Sequence, residues 1–391
     1  MRKAAARLLG GLAVMAAACG ASAQATQGIS RDEIVLGTIL DLSGPIAWAG
    51  KQSLNGQRMR IEEINAAGGI NGRKIKLLAE DDAYDPKRSV LAAQKLVNNE
   101  KVFAIVQHIG TAGNVATQQI KFDRNVVNFM PATGARSMFE PPDRLKVALQ
   151  VATVDAMEAG VRQLVGQSKH TRVCAVHQDD EFGMEYVRGT EAGLKAMNLA
   201  LAERASFKRG TTDFSSQAAR LKAANCQLVV IGAPVREAVG IIKESRKLDF
   251  NPEFLGGDAT YNKDMIALDP KAVEGVYCAH FMLSPAADSK NKRMRDWFAA
   301  YKAKFGEDPG QSSIYGYYAI DVLAAAAAKA GANLTTDSFL TALETNRFPH
   351  PFDGPEFYIT KANRLGIHEF ILSKVDKGQW TPLVTGIKAP R

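Results

Sequence analysis

AAGGINGRKIKLLAEDDAYDP, running from Ala66 to Pro86, holds one complete helix–turn–strand–helix step. Gly68 and Gly69 suit the left-handed backbone on which helices commonly end. Asn71-Gly72 supplies a tight turn that small and amide residues adopt at little cost. Ile75, Leu77 and Leu78 form a short apolar strand whose far end turns acidic at Asp81 and Asp82. Asp85-Pro86 reads as an N-cap followed by proline in the first helical position. A strand entered from one helix and left by another is the unit of an α/β sheet.

The same alternation extends in both directions. Ile34–Leu40 is apolar without a two-residue period, as in a strand covered on both faces. A helix over 50–66 follows it, and the strand at Lys74–Ala79 leads to a helix from Pro86. Strands at Phe103–Gln107 and Val126–Met130 flank a helix from Gly113. A second series begins near residue 148, with strands at Val173–His177, Leu199–Glu203, Leu228–Ile231 and Glu253–Leu255. Helices over 185–197, 215–223 and 236–247 separate them. After a strand at Val276–Phe281, helices near Arg293–Phe305 and Tyr315–Ala330 suit a return to the first sheet, and strands at Glu356–Ile359 and His368–Val375 close the chain. The expected fold is α/β: two doubly wound parallel-sheet lobes joined by three crossover segments near residues 148, 281 and 355. Lobe I then takes 28–147 plus 281–355, and lobe II 148–280 plus 356–391.

The 391 residues, 46% of them apolar, are enough for two cores. The formal charge is +8, but Arg2, Lys3 and Arg7 fall in a leader-like start and the other basic residues are scattered. That distribution argues against nucleic acid as a partner. Residues 1–25 read as a signal peptide, with a basic start, an apolar core from Leu8 to Ala18 and small residues before Ala23 and Ala25. A lipoprotein acylated at Cys19 is the alternative, although Ala16 stands where such signals usually carry leucine. Either way the expectation is an exported, periplasmic protein. Cys174, Cys226 and Cys278 show no metal-site spacing. Buried structural cysteine is the default for them, with one disulfide and one free thiol left open.

Catalytic signatures are absent: no GxGxxG after the first strand, no GxSxG, no P-loop and no HExxH. Asp81, Asp82 and Asp85 lack the glycine and distal glutamate of a calcium loop and read as strand-end and capping residues. No enzyme, metal or cofactor is expected. Ligands of doubly wound sheets bind beyond the carboxyl ends of the strands. Three loops there are rich in small and hydroxyl residues: Asp41–Trp48, Gln107–Asn114 and Pro131–Gly134. A helix starting after Thr111 offers its N-terminus to a carboxylate.

Ser43-Gly44-Pro45, INAAGGINGRK (Ile64–Lys74), DDAYDP (Asp81–Pro86) and GTAGN (Gly110–Asn114) occur in this order. The chain thereby resembles the periplasmic binding proteins for branched-chain amino acids. That resemblance implies a type I, Venus-flytrap fold closing on one small molecule and delivering it to the membrane permease of an ABC transporter, as a monomer. It also implies a ligand site of Ser43, Trp48, Ile109, Gly110, Thr111, Ala132, Thr133, Phe182 and Asp258. In the family's pattern Thr111 holds the ligand carboxylate, the Ala132 carbonyl receives its amino group, Phe182 packs over it and Asp258 pairs with its ammonium. The Ala66–Pro86 run itself is expected to touch no ligand. Two departures matter. Gly134 stands where amino acid binders commonly carry threonine, unless Thr133 replaces that hydroxyl, and Tyr84 and Gly110 stand where some members carry a disulfide. A hydrophobic amino acid is the leading ligand; an aromatic or other small carboxylate, and a sensor on the same fold, are the alternatives.

Overall fold

A computed structural model describes residues 26–388. The signal peptide and Cys19 lie outside the described residues. The first sheet is built from β1 (Glu33–Leu40), β2 (Lys74–Asp81), β3 (Ala104–Val106), β4 (Val127–Phe129) and β5 (Lys146–Val147), in the order β2-β1-β3-β4-β5 with every pairing parallel. Between them run α1 (Ala47–Ala66), α2 (Pro86–Gln94), which continues as a π-helical turn over Lys95–Asn99, and α3 (Thr111–Phe122). The second sheet uses β6 (Val173–Gln178), β7 (Leu201–Phe207), β8 (Leu228–Gly232), β9 (Glu253–Gly257) and β10 (Tyr277–His280) in the order β10-β9-β8-β6-β7. This repeats the connectivity of the first sheet. Its helices are α4 (Thr153–Ser168), α5 (Glu181–Lys195), α6 (Ser215–Ala223), α7 (Val235–Lys247) and the short α8 (Lys263–Leu268).

The order 2-1-3-4-5 reverses direction beside its first strand, and the crevice at that reversal is where such sheets bind ligands. In the first sheet the crevice lies between the ends of β1 and β3; in the second, between those of β6 and β8. The two face each other. Afterwards α9 (Lys292–Phe305), α10 (Gln311–Ala330) and α11 (Thr336–Thr345) follow, and α10 packs along α1. That contact is anchored by Arg60 to Asp321 at 2.7 Å and Tyr317 Oη to Glu63 at 2.7 Å.

Two sequence expectations fail here. The second sheet is not wholly parallel: β11 (Glu369–Asp376) and β12 (Gln379–Lys388) add an antiparallel hairpin beside β10. The reading missed β12 because its burial is weak and follows no strict alternation. Glu356–Ile359 forms no strand, only a single bridge from Phe357 to Phe348. The cysteine default also changes. Cys174 on β6 is disulfide-bonded to Cys226, just before β8, which leaves Cys278 as the one free thiol among the described residues, and it is buried.

The Ala66–Pro86 run folds as its chemistry dictates. Gly69 (φ 83°) donates to Ile64 O at 2.9 Å, and a Cβ there would lie 2.1 Å from Arg73 O. Asn71 (φ 48°) and Gly72 (φ 85°) form a two-residue turn closed by Ile70 and Arg73. Two positive φ values are what a type I′ turn requires. Asp85 accepts from Lys87 N and Arg88 N, capping α2.

Candidate functional site

A cavity of about 120 Å³ lies between the two crevices. An engineered cavity of ~150 Å³ takes up benzene, so this space is of the size that holds one small molecule. Its first-lobe wall includes Trp48, Ile109, Gly110, Thr111, Ala132 and Thr133; the second lobe contributes Phe182 and Asp258. Eight of the nine residues expected at the site therefore converge. Ser43 does not. It is exposed, and its hydroxyl donates to Asp81 Oδ2 at 2.6 Å, away from the cavity. Burial pushes the Asp81 carboxyl up, but hydrogen bonds from Ser43, Leu42 N and Ala83 N together with Arg88 outweigh it and bring it down to about 2. Ser43 holds the loop that carries Ile46 and Trp48, assisted by buried Asp41, which accepts from Gly44 N and Ile46 N.

The Ala66–Pro86 run reaches the cavity after all. Tyr84 lines it at a positive φ of 60°, set by Asp82 Oδ1 accepting Tyr84 N at 2.9 Å. The carboxyl end of β2 was the available signal. Sequence reasoning also missed Gln150 and Thr153 at the start of α4, and Gln311 and Tyr315 on α10. The α10 residues lie more than fifty positions from Asp258, and only the packing of α10 on α1 brings them to the cleft.

Gly110 (φ 97°) is the N-cap of α3, which begins at Thr111. Thr111 Oγ1 lies 2.6 Å from Thr133 Oγ1, and the isolated bridge between Ile109 and Ala132 ties the two loops together. These hydroxyls and the first N–H groups of α3 form a cradle for an anion. Thr133 faces Thr111 and does not take the place of a side chain at Gly134. A Cβ on Gly134 would meet Val151 O at 2.6 Å and Thr153 Oγ1 at 2.7 Å, so the second lobe fills that space.

Capping follows the same geography. Asp85, Asp180, Asn262, Asn291 and Thr335 cap α2, α5, α8, α9 and α11 with side chains. No side chain caps α3, α4, α7 or α10, whose starts at Thr111, Thr153, Pro234 and Gln311 all line the cavity. Four positive helix ends thus open on one small space, where negative charge is favoured. Uncapped α6 begins elsewhere, and the loop before α1 is held by Asp41.

Opposite the cradle, Asp258 stands on a 3-10 turn after β9. Tyr315 Oη donates to its Oδ1 at 2.8 Å and Gln311 Nε2 at 3.2 Å. Enclosure by protein pushes the Asp258 carboxyl up to about 7, against the lowering effect of Tyr315, Gln311 and the Phe281 N–H. Both side-chain donors come from α10, so they cross between the lobes. Further bridges run from Arg209 to Tyr84 O, with the guanidinium 4.3 Å from the Tyr84 ring, and from Arg136 N to Glu185 Oε2 at 3.3 Å. The cleft is closed. Aromatic rings of Trp48, Tyr84, Phe182, Tyr186, Tyr261 and Tyr315 make up much of its wall.

Among the described residues, no group of three His, Cys, Asp or Glu is placed to hold a metal, and no helix is long and apolar enough to cross a membrane. The sequence model described as periplasmic binding protein matches residues 33–379. An amino acid binding protein of Pseudomonas aeruginosa is 27% identical over 305 residues, 77% of this chain and 80% of the relative. A Leu/Ile/Val-binding protein of Escherichia coli is 27% identical over 306 residues, covering 78% and 81%. The crystal structure of an R. palustris ABC transporter solute-binding protein in complex with benzoate superposes with a TM-score of 0.80 at 17% identity, over 92% of this chain and 97% of that one. At that identity the likeness speaks for the fold alone.

Proposed function

The chain belongs to the periplasmic binding protein family, whose members bind solutes and are not enzymes, and on that premise we propose that it captures a small hydrophobic amino acid for an ABC importer. The observation carrying this reading is the pairing of two opposite polar ends across one small cavity. The Thr111–Thr133 cradle at the start of α3 suits a carboxylate, and Asp258 on the facing wall suits an ammonium. Hydrogen bonds to charged groups contribute about 1.5–3 kcal/mol each, so the two ends together select a zwitterion. Ala132, beside the cradle, offers its carbonyl to the ammonium, while Ile109 and Gly110 shape the carboxylate end. Trp48 and Phe182 close over the side chain. The names of the P. aeruginosa and E. coli relatives agree with this ligand class.

The protein works in the periplasm after removal of residues 1–25, as a monomer that hands its ligand to a membrane permease and binds no nucleic acid. Hinge closure brings the two walls together, since a ligand held by both lobes favours the closed form. The test is calorimetry of the mature protein against leucine, isoleucine, valine, phenylalanine and benzoate. Micromolar or tighter binding of an aliphatic amino acid is expected; binding of none of them below the millimolar range would overturn the reading.

One observation favours a second ligand class, an aromatic carboxylate. Six aromatic rings line the cavity. Benzoate bound more tightly than any amino acid would select it.

A further inference from the structure

Behind the carboxylate cradle lies a fully buried lysine. Lys121, on the last turn of α3, reaches back along the helix. Its Nζ donates to Asn128 Oδ1 at 2.8 Å and Asn114 Oδ1 at 3.5 Å. Lysines are almost never fully buried unless paired, and no carboxylate pairs with this one among the described residues. The titratable group close enough to feel its charge is His108, which in turn stands beside Asp82. Asp82 is engaged by Ser89 Oγ at 2.6 Å and by Tyr84 N. The His108 Nε2 lies 3.7 Å from Asp82 and lacks a hydrogen-bond partner among the described residues. Burial brings the Lys121 ammonium down to about 7 and the His108 imidazole down to about 4, despite Asp82 beside the latter. A group held at such a cost, with two amides for partners, does something the core alone does not need.

Asn114 shows what it does. Its Nδ2 donates at 2.8 Å to both His108 O and Gly110 O, the two carbonyls of the loop that presents Ile109, Gly110 and Thr111 to the cavity. A primary amide can turn over and exchange its oxygen for its nitrogen. A turned amide would set its oxygen against both carbonyls and its NH2 against the lysine Nζ, so Lys121 donating to Oδ1 adds to the hold of the two carbonyls and keeps Nδ2 on the loop. We infer that Lys121 is a positioning residue for the anion cradle, locking Asn114 so that the first N–H groups of α3 face the ligand. The inference rests on the reading that this cradle receives the ligand's carboxylate.

Two variants test it, each with a measurement on the ligand-free protein. Lys121→Met keeps the length and removes the charge. Losing a buried charge is favourable, but Asn128 Oδ1 and Asn114 Oδ1 lose their donor, so its Tm should change little or fall by about the loss of one hydrogen bond. Amide exchange at residues 108–114 should nevertheless accelerate, and leucine or benzoate, whichever binds the parent, should bind roughly tenfold more weakly, the loss of about one hydrogen bond. Asn114→Asp keeps the lysine and hands it a carboxylate but deletes the Nδ2 donor, so the same segment should loosen while Lys121 stays paired. Unchanged exchange at 108–114 in either variant overturns the inference, as does a uniform loss of protection across the first lobe. A parent protein that binds neither probe sinks the functional reading alone, because exchange is read without ligand.

Discussion

The two walls of the cleft are built on different plans. The first-lobe cradle is complete within its own lobe: Thr111 faces Thr133, Ile109 bridges Ala132, and Asn114 pins the loop from behind. The second-lobe acid is not. The side chains that hold Asp258, Tyr315 and Gln311, belong to a helix packed on the first lobe. An open protein therefore keeps its cradle intact and loses the surroundings of its acid. Under the proposed reading the difference implies an order: a carboxylate would dock on a preorganised wall, and closure would then assemble the ammonium site. Affinity for any carboxylate should depend on the first wall, and discrimination between amino acids and plain carboxylates on the second.

Asp258→Asn should break the comparison hardest. Leucine should lose ~100-fold or more in affinity, since a charge-assisted partner contributes about 1.5–3 kcal/mol and closure is weakened too. Benzoate binding, measured in the same calorimeter, should change little. Thr111→Ala should weaken leucine and benzoate alike by roughly tenfold, because the cradle does not read what lies beyond the carboxylate. Unequal losses there would show that the walls are not independent. Tyr315→Phe removes one donor to Asp258 and should raise the pH at which leucine binds half-maximally, with a loss of only a few-fold at pH 8. Smallest of all should be the effect on affinity of replacing Cys174 and Cys226 by serine. That pair ties β6 to the start of β8, behind the cavity. Its removal should cost about 2–4 kcal/mol in denaturant unfolding while the dissociation constant stays within twofold.

Much of this architecture is legible from residue order alone. Gly68-Gly69, Asn71-Gly72 and Asp85-Pro86 act through local backbone geometry, so their reading transfers directly to the structure. Loop residues at strand ends, such as Thr111 and Phe182, are equally legible because topology places strand ends at the crevice. What escapes is set by tertiary packing. Tyr315 and Gln311 sit in an ordinary apolar helix, and nothing local marks them as partners of Asp258. Thr153 fills the space over Gly134 only because the second lobe folds against the first. Ser43 misleads in the opposite sense: its motif is a structural latch on Asp81, and the ligand wall begins beyond it at Ile46. Gly-Pro geometry shapes that loop, and geometry and contact are indistinguishable in a sequence.

The titration of Asp258 tests the division between the walls most directly. With its carboxyl raised to about 7 in the closed cleft, Asp258 is neutral below that pH and ionised above it. An ammonium ligand needs the ionised form, so to the extent that the free protein holds Asp258 in the closed, raised state its affinity rises with pH, with a proton released on binding at the acid end. A ligand with no ammonium gains nothing from ionisation, and its affinity stays flat or falls. Calorimetry of leucine from pH 5.5 to 8.5, repeated on Asp258→Asn, is the decisive measurement. The expected result is leucine binding in the parent that holds or strengthens from pH 5.5 to 8.5 and is weakened at every pH in the variant; a parent that binds leucine more weakly as pH rises, or a variant that binds it as well as the parent, would contradict the assignment of Asp258 to the ammonium.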